Sequence, residues 1–115
     1  MREYNSILKD LKDTLSVLNI DIETGVFSEE APEEYIVIIP MNDLFDLYAD
    51  NLPQNEIQEA RLSLFTKGNY MARKNQIVKT LIACGFTITE RLYIGYENDT
   101  GFNHFAIDVE KEYEA

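Results

Sequence analysis

Five consecutive residues, Tyr35, Ile36, Val37, Ile38 and Ile39, are aromatic or β-branched, and Pro40 follows them. β-Branched side chains are stiff at χ1 and pack well on a pleated surface, so this run is written for a strand. With no polar alternation it predicts a central strand covered on both faces. Pro40, which cannot donate to a ladder, marks its end. A chain organised around that strand needs further strands beside it and helices over it.

The first helix is legible in Tyr4, Ile7, Leu8, Leu11, Leu15 and Leu18, which recur at spacings of three and four while Lys9, Asp10, Lys12 and Asp13 fall off the stripe. Asn19 is placed to end it in the left-handed conformation. Ile20 and Ile22 alternate with Asp21 and Glu23 as a short strand, and Thr24-Gly25 turns the chain. Residues 29–34 read as a loop held by Pro32. Residues 41–55 have neither a strand nor a helix period and read as a long exposed connection. From 56 to 66, Ala60, Leu62 and Leu64 alternate with Arg61, Ser63 and Phe65, a strand broken by Lys67-Gly68. Asn69 is a candidate N-cap for a second helix carrying Tyr70, Met71, Ile77, Val78, Leu81 and Ile82, with Gly85 just past its end. Strands over 86–96 and 102–112, joined by residues 97–101, complete the chain. The order is α-β-β-β-α-β-β: an α+β domain over residues 1–115, mainly antiparallel, with two helices packed on one face.

Size and composition fit one domain with its own core, at 115 residues and 45% apolar content. A single cysteine excludes an internal disulfide framework, and a cytosolic setting is the simplest fit. Met1 leads into a polar, amphipathic stretch rather than a signal peptide, and no apolar run has the length of a membrane span. Charge is the stronger constraint. Residues 13–60 hold twelve Asp or Glu and no Lys or Arg, in a chain of net charge −11. Such a surface repels phosphates and argues against a groove-binding nucleic-acid reader. It fits a surface that DNA passes without sticking, a docking face for a basic partner, or simple solubility.

Candidate chemistry is sparse. His104, the sole histidine, falls opposite Phe105 and Ile107 in strand parity, and no nucleophile or orienting partner accompanies it in sequence. It reads as structural. Cys84 lies at a helix C-terminus, where the partial charge disfavours a thiolate, and reads as a small core residue. Asp43, Asp46 and Asp50 lack the spacing of a calcium loop. No glycine pattern cradles a phosphate. The expectation is a protein that is not an enzyme and uses no metal or cofactor. Tyr93, Tyr96, Phe102 and Phe105 gather around the last hairpin, where cross-strand pairing accounts for them.

Residues 43–52 are the candidate partner-binding segment. Leu44, Phe45, Leu47 and Tyr48 interleave with acids up to Asp50 in a connection read as exposed, and exposed apolar residues there fit a docking arm. Folding back over the core as one helical turn is the other reading of the same residues. Arg61, Lys67, Arg73, Lys74 and Lys79 hold half of the basic residues. Basic and acidic stretches kept apart suit a head-to-tail contact between copies, with Arg61, Arg73 and Lys74 as interface residues. The strand 56–66 and the final hairpin are read as surfaces open to neighbours.

Several segments in this order carry a family resemblance: the helix MREYNSILKDLKDTL, the strand YIVIIP, the segment DLYADN at 46–51, the strand EARLSLFTKG at 59–68 running into the second helix, and YENDTGFNH at 96–104. In these the chain resembles the tail-terminator proteins of long-tailed phages and prophages, also called tail-completion or head-tail joining proteins. The resemblance spans nearly the whole chain. It implies a small structural subunit that assembles as a ring, typically of six copies, on the head-proximal end of the tail tube. The implied partners are the tail-tube protein, a head-completion protein and further copies of itself. The implied location is the host cytoplasm during assembly and then the virion neck or tail. The alternative from another class is an acidic inhibitor or DNA mimic that blocks a basic nucleic-acid-binding partner.

Both readings share one expectation. Duplex DNA labelled for fluorescence anisotropy should show no binding even at low salt, where phosphate contacts are strongest. Detectable binding there overturns the passage surface and the mimic together.

Overall fold

A computed structural model of the chain describes residues 6–24, 32–49 and 52–114. The element order is the expected α-β-β-β-α-β-β: α1 (Ile7–Leu15) with a 3-10 turn at Ser16–Leu18, β1 (Asp21–Thr24), β2 (Glu34–Ala49), β3 (Leu52–Thr66), α2 (Tyr70–Ala83), β4 (Thr87–Tyr96) and β5 (Asn103–Glu114). The strands form one five-stranded sheet in the order β1-β2-β3-β5-β4. β1 pairs parallel with β2, and every other neighbouring pair is antiparallel.

The helix ends follow local chemistry. The Ser6 side chain accepts from the Lys9 N–H at the start of α1, and Asn69 Oδ1 accepts from the Ala72 N–H at 3.1 Å at the start of α2. Asn19 closes the first helical segment with φ 53°, in the left-handed region. Gly85, at φ +91°, closes α2. There the Phe86 N–H donates to the Leu81 carbonyl and the Gly85 N–H to that of Ile82. This pairing satisfies the last carbonyls and brings the buried Phe86 back under the helix.

The core lies between the helices and one face of the sheet. Ile7, Leu11 and Leu15 of α1 and Ile77 and Leu81 of α2 meet Ile36 and Ile38 of β2, Ala60, Leu62 and Leu64 of β3, and Phe105, Ile107 and Val109 of β5. Each fully buried Leu or Ile contributes about 1.5–3 kcal/mol relative to exposure. β2 is therefore covered by helices on one face only, and it lies second in the sheet rather than at its centre. The central strand is β3, paired on both sides, so residues 56–66 do not form the open edge that the alternation suggested.

The largest departure concerns residues 41–55. They are paired strand, not a loop: β2 and β3 stay paired from Glu34–Thr66 down to Ala49–Leu52, β5 accompanies β3 as far as the Asn55–Glu114 pair, and the end beyond that pair projects as a two-stranded ribbon. Pro40 does not end the strand: it lies beyond Thr24–Ile38, the last β1–β2 pair among the described residues, and at a register shift between Pro40 and Asn42. A proline is tolerated where a strand has lost a neighbour and at a bulge.

One polar node ties four elements together. Arg73 on α2 donates from Nη2 and Nε to Glu34 Oε1 at 2.7 and 3.0 Å, and from Nη1 to the Leu18 carbonyl at 3.4 Å. The Thr66 hydroxyl donates to the other Glu34 oxygen at 3.0 Å. Both charged side chains are about one quarter exposed. Removing the cation leaves a half-buried carboxylate, so Arg73→Ala should cost roughly 1.5–3 kcal/mol in urea unfolding. Lys79→Ala, on the exposed side of the same helix, should stay within about 0.5 kcal/mol. Equal stabilities would show that the node carries no load.

Candidate functional site

Two helices cannot cover both sides of five strands, so the second face of the sheet is the first place to look for function. Cross-strand register builds it in rows. The top row is Tyr35, Phe65, His104 and Gly95, neighbours on β2, β3, β5 and β4. Tyr35 stacks on Phe65 at 4.8 Å between centroids, and Phe65 on His104 at 4.2 Å. Phe102, from the turn before β5, packs edge-on against Tyr35 and Phe65, and Lys67 Nζ lies 5.0 Å from its ring centre. The aromatic residues near the last hairpin thus divide between two faces. Phe102 joins this row, whereas Tyr93 and Phe105 pack with Tyr70 on the helix side.

Two rows further along, Ile39, Arg61, Asp108 and Glu90 are neighbours. Arg61 holds the buried Asp108 with two hydrogen bonds of 2.7 and 3.0 Å. Those bonds, then the Asp108 charge and more weakly Glu90, raise the guanidinium further above its ordinary range against a small opposing effect of burial. The next row sets Glu59 directly opposite Glu110. Like charges directly opposite on a sheet are destabilising. Beyond it β5 continues with Glu112 and Glu114 on the same alternation, and the Asn55 side-chain amide donates to Glu112. The open face is therefore aromatic at one end and carboxylate-rich towards the ribbon.

The helices anchor to the sheet close to where the ribbon departs. The Ile7 N–H donates to Gln58 Oε1 at 2.7 Å, and the Tyr113 hydroxyl donates to Asp10. From there β2 and β3 run on, and the molecule measures 55 × 25 × 23 Å. Leu44, Phe45, Leu47 and Tyr48 belong to this ribbon by backbone pairing. Their side chains, and Asp50 entirely, lie outside the described residues. Residues 43–49 of the segment read as a docking arm are thus paired strand, and they do not form the one-turn helix over the core.

The three basic residues expected at an interface do not come together as one patch. Arg61 lies on the open face, bound to Asp108, while Arg73 lies on the helix side, bound to Glu34. Lys74 is half-buried with its ammonium 5.3 Å from the Phe105 ring centre. Cys84 is exposed rather than in the core: it caps the C-terminal end of α2, its backbone N–H donating to the Thr80 and Leu81 carbonyls of the last turn. Of the two surfaces read as open to neighbours, the final hairpin supplies an edge of the sheet through β4, where Leu92, Tyr93, Ile94 and Tyr96 are all exposed, whereas strand 56–66 is central.

Among the described residues, no group of three His, Cys, Asp or Glu is placed to hold a metal. Nor is any described helix long and apolar enough to cross a membrane. No protein-family model matches the chain, and no curated protein matches it.

His104 gives the face a titratable marker. Burial pushes the imidazole below its ordinary value of 6.5, with Arg61 adding to the effect and Glu97 opposing it. Its Nε2 is buried and has no hydrogen-bond partner among the described residues. The fold therefore favours the neutral ring. Near and below pH 6.5 the unfolded chain binds more protons than the folded one, so stability falls as pH drops through that value. Thermal melts through this window should show a loss that His104→Phe removes, since the variant keeps the stack and cannot titrate. Identical pH profiles for the two proteins would show that the ring protonates freely in the fold.

Proposed function

We propose that this protein is a structural assembly subunit of the phage tail-terminator type, a ring on the end of a tail tube that joins tail to head. The observation that carries this reading is the ribbon: β2 and β3 remain paired beyond the helical anchors at Gln58 and Tyr113 and beyond the last β3–β5 pair, Asn55–Glu114, as far as Ala49–Leu52. A projecting strand pair adds little to a core that other residues complete. Its use is to reach another molecule, and the tail tube and the head-completion protein are the partners this reading assigns.

The carboxylate-rich face supports the same reading. Glu59 and Glu110 stand opposite each other at a cost to stability, which is intelligible where negative charge is the property needed. A lumen lined by such a face repels passing DNA at close range, within about one Debye length of 8–10 Å. An acidic inhibitor of a basic nucleic-acid-binding protein uses this face equally well. It has no need of the ribbon, and self-assembly separates the two.

The test shortens the ribbon without disturbing the sheet. Asp46 and Asn55 are paired, and Asn55 also pairs with Glu114 at the end of β5, so replacing residues 47–54 by Asn-Gly closes a two-residue hairpin in register and leaves every β3–β5 pair in place. The shortened chain should fold with an unchanged circular dichroism spectrum. In electron micrographs of tail tubes from a phage that carries this protein, the native chain should cap tube ends and the shortened chain should not. Equal capping by both removes the ribbon as the docking element. A native chain that never caps tubes, yet binds a basic nuclease or repressor, favours the inhibitor.

A further inference from the structure

The sheet is open on both sides, and the two openings match. β4 is the last strand on one side, with nothing paired to its outer edge among the described residues. On the other side β1 covers β2 only from Tyr35 to Ile38. From Ile39 to Ala49, β2 has β3 alone beside it among the described residues. That free stretch is about as long as β4, which has ten residues. Both edges expose apolar side chains: Ile39 and Met41 on one, Leu92 and Ile94 on the other, each between 42% and 48% exposed. Long apolar edges invite strand addition unless something covers them.

We infer that the occupant of each edge is a second copy of this chain, with the free half of β2 of one copy adding antiparallel to β4 of the next. This rests on the ring reading above and names the contact that would build it. Strand direction agrees: β2, β3, β5 and β4 alternate, so β4 runs opposite to β2. Copies set side by side in one orientation therefore continue the alternation.

Charge favours this head-to-tail pairing over β4 against β4. The free half of β2 contains Asp43 and Asp46 and no cation. β4 carries Arg91 on the helix side and Glu90 on the open face, and the neighbouring helix α2 carries Lys74 and Lys79. Asp43 pairs opposite Gln58, which reaches α1, and Arg91 opposite Ile107 of the core, so both positions belong to the helix side. A continuous sheet keeps that side in common and there sets Asp43 towards Arg91 and the α2 lysines; positions 46 and 90, both acidic, share the open face, so the preference rests on the helix side. A β4–β4 pair would set Arg91 and α2 against their own copies.

β1 supplies the register. It occupies β2 up to Ile38, so an incoming strand begins at Ile39. Within one copy Ile39 lies level with Glu90, through Arg61 and Asp108. Full overlap of the two edges then requires the neighbour to slide by about six residues, roughly 20 Å along the strands. The repeat across the sheet is β2-β3-β5-β4, about 19 Å at 4.8 Å per strand. That stagger corresponds to a strand tilt of about 45°, at the upper end of the range for closed barrels. A contact of this kind turns as it repeats and is able to close.

Cysteine pairing tests it. In a Cys84→Ser background, Met41→Cys on one copy and Ile94→Cys on another lie across the proposed seam, with Leu92→Cys as a second partner should Ile94→Cys fail to fold. Mixing the two single variants over a concentration series under mild oxidation should give a disulfide-linked dimer at least about tenfold above either variant alone, because only a directly opposed pair meets disulfide geometry. Dimer from the β4 variant alone at the same level points to a β4–β4 contact and overturns the proposal. So does a mixed yield no greater than that with Val17→Cys, which is exposed and far from both edges in sequence. Tube capping read on the unmodified chain separates the two proposals. Capping without the cross-link leaves the ring reading standing and removes this seam, whereas the cross-link without capping keeps the seam and removes the tail role.

Discussion

A mismatch of lengths governs this molecule. At 1.5 Å per residue, the 14 residues of α2 span about 21 Å, and α1 is shorter. At 3.3 Å per residue, the 16 residues of β2 span about 53 Å, close to the 55 Å long axis. Two short helices laid on long strands bury one patch of one face. The buried side chains concentrate there, from Ile36 and Ile38 across to Ile107 and Val109. The second face, the far ends of β2 and β3 and the edge at β4 all fall outside helical cover. Each must satisfy itself by other means or meet another molecule.

The second face shows both solutions. Near the start of β2 it builds a small core of its own, where Phe102 folds over Tyr35 and Phe65 and is itself buried. Burial, with Glu97 assisting, raises the Tyr35 hydroxyl above its ordinary value, the same environment that depresses His104. Nearer the ribbon the face turns to carboxylates, and Arg61 neutralises Asp108 within the row. Glu59 and Glu110 face each other in the next row. Stability alone would replace one of them, which is why the acidity of this face reads as a property in use.

Most of the architecture was legible in the sequence, and what was not has identifiable physical causes. Helical stripes, helix ends at Asn19, Asn69 and Gly85, and the alternation of Ala60, Leu62 and Leu64 report local chemistry that tertiary structure did not override. The ribbon was hidden by one extra residue. The register shift between Pro40 and Asn42 moves the parity by one, so Ile36 and Ile38 share a side with positions 43 and 45 rather than 42 and 44. A period sought across that point disappears. The pair Ala49–Leu52 encloses Asp50-Asn51, residue types favoured in two-residue hairpins, and this was the available signal. Strand order is a different limit. Alternation identifies which residues of β3 face the helices, but nothing local says that β5 inserts between β3 and β4.

That insertion changes where an assembly contact must be sought. Segregated charge in the sequence points to arginines as the groups offered to a neighbour. In the fold, Arg61 and Arg73 each close on a carboxylate of the same chain. Breaking either pair to reach a partner would strand Asp108 or Glu34 without its cation, at several times the value of an exposed ion pair. Outward-facing main-chain groups along β4 and the free half of β2 have no strand partner among the described residues. Hydrogen bonds and apolar contacts there cost the monomer nothing that it uses. In the proposed seam, charge on the helix side selects partner and orientation, and the strand edges carry the affinity.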